Sequence, residues 1–208
     1  MRTMPTIDLS VLKKYTILLV LLGLMILFSL VSPYFLTVRN LTNIVTQNTY
    51  FIIVAVGLSF VMIGGGIDLS VGYQMSLVGV VTAMLMVEYN QPVWLAVAAG
   101  LLLGTGLGLV NGVIVTRIRI FPLIATLATS VIFQGTSYMI SQAKTFRGYP
   151  EEFLFLTKGK VLGLPFDIIL TLVVILVATF VYSETIFGLR LVALGGNEEA
   201  CLLYASPS

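Results

Sequence analysis

The sequence predicts an all-α, polytopic membrane protein with about six transmembrane helices and a cytoplasmic N-terminus. Of its 208 residues, 58% are hydrophobic and only 10% are charged, whereas average soluble domains have about 45–50% and about 25%. Too few polar side chains remain to cover a water-soluble globule of this size. The charges also leave six uncharged stretches of 16 or more residues: 15–38, 40–67, 69–87, 89–116, 120–143 and 168–183.

These stretches have the length of membrane-crossing helices, which need roughly 20 mostly apolar residues. Five are long enough by themselves, and the sixth becomes so when 162–166 are included and Asp167 lies at the interface. A transmembrane β-barrel would instead show short segments of alternating polarity. The predicted spans are 15–32, 44–63, 70–87, 92–116, 120–141 and 166–183.

The residues at the ends of the spans support the predicted boundaries. The first follows Lys13 and Lys14, but it is too long for a signal peptide and no small-x-small cleavage site follows it. Prolines and aromatic residues lie at span ends, where a missing N–H costs least and where interfacial rings are favoured. The long connection 142–165 is charged and is expected to be a partly ordered loop. The end markers are Tyr15, Pro33, Tyr34, Tyr89, Pro92, Trp94, Pro122 and Pro165.

The charges orient the chain only weakly. With the N-terminus inside, the inner segments hold six Lys or Arg residues and the outer segments hold five. The positive-inside rule needs a larger bias than this. The two short basic pairs, Lys13/Lys14 and Arg117/Arg119, fall on one side, which favours a cytoplasmic N-terminus.

Several function classes are disfavoured by composition. The net charge of +2 and the lack of a basic patch argue against nucleic acid. The single cysteine, Cys201, excludes an intrachain disulfide and a multi-cysteine metal site. The chain has no His and no Cys/His or carboxylate cluster inside the bilayer, so a membrane enzyme would lack residues for metal, thiol or His-based acid–base chemistry. A Ser–Lys pair is the alternative, and no Lys lies within a span. We expect no catalytic site, cofactor or metal.

The strongest local feature joins the second and third predicted spans. Gly64, Gly65 and Gly66 end a helix and allow φ values that other residues avoid. Asp68 or Ser70 then caps the next helix, or the segment is a broken helix whose polar groups face a solute pathway. Asp68 is the only acid in residues 40–87, which favours a specific role. The helix-break residues are Gly64, Gly65, Gly66 and Gly72.

Two further patterns lie within spans. Glycines at 100, 104, 108 and 112 share one face of the fourth span, which is typical of close helix packing. Asn43, Gln47 and Asn48, with Thr46 and Thr49, lie near the outer end of the second span. They either contact a transported solute or bond neighbouring helices. The pathway candidates are therefore Asn43, Gln47, Asn48, Asp68 and Ser70, and the packing candidates are Gly100, Gly104, Gly108 and Gly112.

Several motifs together resemble the permease subunits of bacterial ABC importers for monosaccharides, of the ribose, xylose, arabinose and galactose type. GGGIDLSVG at 64–72 and ALGGNEEA at 193–200 are the most specific in combination. SPYFLT at 32–37 with Asn40 and Leu41 is similar to the family's first outer loop. GLVNG at 108–112, residues 117–122, IATL at 124–127 and FGLR at 187–190 agree with its later segments.

The resemblance implies an inner-membrane subunit of an importer, without its own ATPase. Its partners would be a second permease subunit, identical or different, two ABC ATPase subunits, a periplasmic or lipid-anchored sugar-binding protein, and membrane lipid. The segment after the sixth span would contact the ATPase. There, Gly195 and Gly196 are expected to break the chain, with Asn197 capping a short helix opened by acids, although a solvated charged loop is the alternative. The coupling candidates are Gly195, Gly196, Asn197, Glu198, Glu199 and Ala200.

The C-terminus departs from the family pattern. Residues 1–200 resemble an incomplete permease domain, and 201–208 read as an unrelated tail. Family permeases continue with further spans, so the sequence indicates roughly the first two-thirds of one. Two alternatives to a working permease subunit follow, a truncated fragment that does not transport and a small membrane scaffold or assembly protein.

Overall fold

A computed structural model describes residues 15–197, and within that range the chain is almost entirely helical. The predicted all-α class is confirmed, with one addition, a short antiparallel ribbon. The helices are α1 (Thr16–Val31), α2 (Val38–Ile63), α3 (Val71–Val87), α4 (Val93–Thr116), α5 (Pro122–Ser141), α6 (Glu151–Lys158), α7 (Phe166–Glu184) and α8 (Ile186–Gly196). The ribbon pairs β1 (Lys160–Val161) with β2 (Leu164–Pro165) between α6 and α7.

The six predicted spans correspond to α1 to α5 and α7. Four of these, α2, α4, α5 and α7, are long and apolar enough to cross a membrane, with 26, 24, 20 and 19 residues. Helices α1 and α3 are equally apolar but shorter, with 16 and 17 residues.

Helix α2 begins six residues before its predicted start at residue 44. Thr37 lies just before the helix, and its Oγ1 accepts a hydrogen bond from the N–H of Asn40 at 3.3 Å. This is an N-cap, in which a side-chain oxygen binds a backbone N–H of the first turn. The sequence-based boundary was wrong because it excluded the polar residues around Arg39 from the span.

The chain divides into two compact units, Met1–Asn48 and Thr49–Ser208. In the first unit, α1 has no buried residue, and the Phe28 and Phe35 rings lie 5.5 Å apart. The predicted separation of 1–200 from a tail at 201–208 stays a prediction, because the tail lies outside the described residues.

The core of the second unit forms where α3 packs against α4 and α5. Its buried apolar residues range from alanine to phenylalanine, and most buried side chains of α5 bear a hydroxyl group. The Ser76 hydroxyl of α3 lies 3.2 Å from that of Ser137 on α5. Such small polar side chains let membrane helices approach and bond across their interface. The core residues are Leu77, Ala83, Met86, Ala96, Ala125 and Phe133, with Thr126, Thr129, Ser130 and Ser137 on α5.

The long connection 142–165 is ordered by a short helix. Glu151 and Glu152 open α6 and Lys158 lies in its last turn, an arrangement that complements the helix dipole. The Phe155 and Phe166 rings lie 5.5 Å apart, and the N–H of Phe166 donates to the carbonyl of Gly159 at 2.9 Å. These contacts fix α6 and the ribbon to the start of α7.

Candidate functional site

The glycine run at 64–66 ends α2 with a specific hydrogen-bonded turn. The N–H of Gly65 donates to the carbonyl of Met62 at 3.0 Å, and that of Gly66 to the carbonyl of Val61 at 2.9 Å. Gly65 has a φ of +83°. This pair of bonds around a left-handed residue is the Schellman motif, in which glycine is favoured because it has no Cβ. The sequence therefore needs glycine at 65 for backbone conformation.

Beyond this turn, the Asp68 carboxylate folds back onto Ser70. The Oδ1 atom of Asp68 accepts from the Ser70 N–H at 2.8 Å and from the Ser70 hydroxyl at 2.6 Å. Gln74, one turn into α3, donates its Nε2 to the Ser70 oxygen at 2.7 Å and reaches Asp68 Oδ2 at 3.5 Å. Ser70 occupies the N-cap position of α3 but its side chain makes no cap bond. Its hydroxyl is used for this cluster instead.

Asn111 of α4 completes the cluster from a neighbouring helix. Its Nδ2 donates to the Ser70 oxygen at 2.7 Å. The Ser70 hydroxyl thus donates once and accepts twice, which uses its whole hydrogen-bonding capacity. Full use of that capacity is compatible with the complete burial of Ser70. We call Asp68, Ser70, Gln74 and Asn111 the break network.

The break network leaves one atom without a partner. Within the described part of the chain, the Oδ1 atom of Asn111 is buried and accepts no hydrogen bond. The Ser70 proton is already donated to Asp68, so the serine oxygen can only accept from Asn111 and the amide cannot turn around to help. A buried acceptor left unpaired costs roughly 1–3 kcal/mol. The network is therefore well bonded around Ser70 and under-bonded at its α4 end.

A second hydrogen bond to the break comes from α5. The N–H of Leu69 donates to Thr126 Oγ1 at 3.2 Å, and that hydroxyl donates to the carbonyl of Pro122 at 2.8 Å. Thr126 is buried in the second turn of α5. Side chains from α3, α4 and α5 thus hold the short connection between α2 and α3 in one conformation.

The remaining pathway candidates lie elsewhere. Asn43, Gln47 and Asn48 are exposed on α2 in the first unit, whereas the break network belongs to the second. The Asn48 amide donates to the carbonyl of Ile44 at 2.7 Å, one turn back on its own helix. Within residues 15–197, no group of three His, Cys, Asp or Glu side chains is placed to hold a metal ion.

The four glycines on α4 do not share one environment. A Cβ added to Gly100 would lie 2.5 Å from Thr82 Oγ1, and one added to Gly104 would lie 3.6 Å from Val78 Cγ2. A Cβ on Gly108, Gly112 or Gly72 would meet nothing within 4 Å. The prediction of Gly72 as a helix-break residue was wrong, because it lies in the first turn of α3. Only the first half of the predicted packing stripe contacts α3.

The predicted coupling segment begins differently from the expectation. Gly195 and Gly196 do not break the chain but form the last turn of α8, and Asn197 is its C-cap, with its N–H bonded to the carbonyl of Ala193 at 3.1 Å. The start of this helix is capped by Thr185, whose Oγ1 accepts from the N–H of Gly188 at 3.4 Å. Glu198, Glu199 and Ala200 lie outside the described residues.

Two residues of the break network, Gln74 and Asn111, and the neighbouring Thr126 were missed as site residues. Asn111 and Thr126 were noticed only as parts of motifs, and Gln74 was not singled out. The available signal was an amide side chain within an apolar helix, because polar residues inside membrane helices usually face the protein interior. Their partners are 41 and 57 residues away in sequence, for Asn111 and Thr126 respectively, and no spacing rule connects such positions.

The comparison with known families agrees with the motifs. Residues 40–205 match the family described as branched-chain amino acid transport system / permease component. The chain belongs to this family. It is 36% identical over 188 residues to the D-allose transport system permease protein of Escherichia coli (strain K12), covering 90% of this chain and 58% of that protein.

Two other relatives agree with the assignment. The ribose import permease protein of Haemophilus influenzae is 35% identical over 195 residues, covering 92% of this chain and 59% of the relative. The L-arabinose ABC transporter permease protein of Azospirillum brasilense is 36% identical over 198 residues, covering 95% and 58%. No solved structure matches the chain.

Family membership has two direct consequences. The chain spans a little under three-fifths of the length of these curated relatives. Together with the four helices long enough to cross a bilayer, membership places it in the bacterial inner membrane as a multi-pass protein of the permease type.

Proposed function

We propose that this chain is the permease subunit of an ABC importer for a simple sugar. The observation that carries the proposal is its identity of 35–36% to permeases named for allose, ribose and arabinose, over 90% or more of the chain. Such a subunit contributes helices to the translocation pathway and has no catalytic site or cofactor of its own.

The break network supports a role in the pathway. Non-helical backbone at membrane depth is tolerated where it lines a cavity or is buried in protein, and broken helices form binding sites in other transporters. Here the break presents a half-buried carboxylate, Asp68, beside a fully buried serine, Ser70. We assign Asp68 and Ser70 to the inner end of the sugar pathway.

Asn43, Gln47 and Asn48 of the first unit are candidates for further contacts with the sugar. All three are exposed amides on α2, and Asn43 and Gln47 are four residues apart, so they share one helix face. An exposed amide face on a membrane-crossing helix needs water, solute or a polar partner. Amides both donate and accept, which suits sugar hydroxyls.

Contacts within the second unit support placing the break and the coupling segment on the same side of the membrane. Gly195 of α8 lies against the turn at Ile63 and Gly65, so the break and the coupling segment are on one side. We propose that this side is cytoplasmic, with a cytoplasmic N-terminus. Gly195 to Ala200 would then contact the ATPase. The other partners would be a second permease subunit, identical or different, and a periplasmic or lipid-anchored binding protein.

The deciding experiment is co-purification followed by transport. The tagged chain is expressed with the ATPase and binding-protein genes of its own genome in a strain lacking other pentose and hexose uptake. We expect the ATPase to co-purify and labelled ribose, allose or arabinose to accumulate when ATP is present. Failure of both would overturn the proposal. Co-purification without accumulation would favour the non-transporting fragment.

A further inference from the structure

One face of α8 lies along the end of α2 and the glycine turn. The contacting residues of α8 are Phe187, Leu191 and Gly195, which are four residues apart and therefore share a face. The Phe187 ring lies 6.2 Å from that of Phe60, in a tilted aromatic pair. Leu191 Cδ1 lies 2.9 Å from where a Cβ on Gly64 would be.

At Gly195 the two segments meet backbone to backbone. A Cβ added there would overlap the carbonyl oxygen of Ile63 and lie 2.9 Å from its carbonyl carbon and 3.5 Å from the nitrogen of Gly65. Main-chain atoms cannot rotate away as the end of a side chain can. By contrast, a Cβ on the next residue, Gly196, would meet nothing within 4 Å.

The atoms that Gly195 touches belong to the turn that leads into the break network. Ile63 is the last residue of α2, and Gly65 is the left-handed residue of the Schellman motif. Asp68 follows three residues later and binds Ser70. At Gly195 no side chain separates the main chain of α8 from this turn, so the contact there is between main-chain atoms.

The network is also bonded unequally. Ser70 is fully paired, whereas the buried Oδ1 of Asn111 has no partner within the described residues.

We propose that Gly195 is a positioning residue that couples α8 to the break network, so that displacement of α8 moves Asp68 and Ser70. The inference rests on the proposed function, because it gives the coupling segment a defined point of action inside the permease. It assigns that point to a backbone contact that requires glycine at 195 and does not require it at 196.

The test compares Gly195→Ala with its matched neighbour Gly196→Ala in the membrane complex. Cys201→Ser removes the native thiol, and Ser70→Cys places a near-isosteric reporter at the fully buried position. The rate of labelling by a small maleimide then reports the enclosure of the network. Phe60→Cys together with Phe187→Cys provides a pair of thiols. The yield of their cross-linking by a short bifunctional reagent reports the docking of α8 against α2.

We expect Gly195→Ala to accelerate labelling at position 70 by about tenfold, within the range usual for coupling between distinct sites. It should also reduce cross-linking and the stimulation of ATP hydrolysis by sugar-loaded binding protein. Gly196→Ala should label and cross-link at the rates of the parent. Equal labelling in the two variants would overturn the inference, as would rapid labelling in the parent.

The proposed function can fail separately. A parent complex whose ATP hydrolysis is not stimulated by binding protein would count against the importer assignment alone, since the thiol comparison needs no transport. If Gly195→Ala does not accumulate in the membrane, Leu191→Ala loosens the same face without adding an atom. It should raise labelling relative to Val192→Ala on the exposed side, and no difference between these two would equally overturn the inference.

Discussion

The glycines of α4 lie on one broad face, and because a step of four residues turns about 40° beyond a full turn, that face has two edges. These two edges, called here the two sides of α4, are built from similar residues but have different neighbours. One side carries Gly100, Gly104 and Asn111, where Gly100 and Asn111 are buried and contact α3 or the break. The other carries Gly108 and Gly112, which are exposed and have no neighbour for an added Cβ. A glycine repeat of four thus does not by itself define a contact, because the partner helix decides which glycines are needed.

The largest expected effect comes from adding a charge to the buried side. Asn111→Asp keeps the shape of the side chain but places a second carboxylate against a Ser70 oxygen that has no proton to give. An uncompensated buried charge costs about 3–5 kcal/mol. We expect a large fall in melting temperature in detergent and loss of uptake.

Asn111→Leu is the control for that prediction. It removes the amide without adding charge and also removes the unpaired Oδ1, so its effect on the free energy of unfolding should be clearly smaller. Equal stability losses for the two variants would show that shape, rather than charge, governs this position.

The next largest effect is expected at Asp68, whose carboxylate is bonded to Ser70. Asp68→Ala removes the acceptor of two bonds from Ser70, and losing such bonds costs about 1–3 kcal/mol. A protein with several membrane helices should still insert, while sugar uptake falls. Uptake per inserted molecule is the measurement, with Asp167→Ala at the start of α7 as the control. Normal uptake would restrict Asp68 to a structural role.

A steric test at Gly100 examines the packing of the buried side. Gly100→Ala places a methyl group against Thr82 and Val78, and overpacking of this kind costs about 1–3 kcal/mol. Thr82→Ala in the same chain should restore most of the loss, since it removes the closest atom. A double-mutant cycle in detergent measures this coupling. Additive losses would mean that the two residues do not meet.

The number and approximate position of the spans could be predicted from the sequence, because each span is a long uncharged stretch. The start of α2 could not be predicted in this way, since Thr37 caps a helix that begins among polar residues. Helix α8 was also missed. Three glycines in 11 residues argue against a helix, because glycine has a low helix propensity. Gly188 and Gly195 are nevertheless needed for packing, since an added Cβ would overlap the backbone carbonyls of Tyr182 and Ile63, respectively.

Only part of the candidate site could be predicted from the sequence, because a local pattern does not show which distant residues meet. Asp68 and Ser70 are unusual within an apolar stretch, and a local pattern suffices to find them. Asn111 and Thr126 meet the break only after α4 and α5 fold back onto α3. Likewise, nothing in the spacing of the α4 glycines distinguishes Gly100 from Gly108, since the contact belongs to the neighbouring helix.

The smallest expected effect lies on the open side of α4 and is the sharpest check of the comparison. Gly108→Ala and Gly112→Ala place methyl groups where nothing lies within 4 Å. Glycine in a helix interior is less favourable than alanine by roughly 0.5–1 kcal/mol. Both variants of the isolated chain should therefore unfold at the same temperature as the parent or slightly higher, in contrast to Gly100→Ala. The measurement is thermal unfolding in detergent of all three variants side by side. A loss at Gly108 or Gly112 equal to that at Gly100 would mean that the open side is covered within the folded chain, and the two sides of α4 would no longer differ.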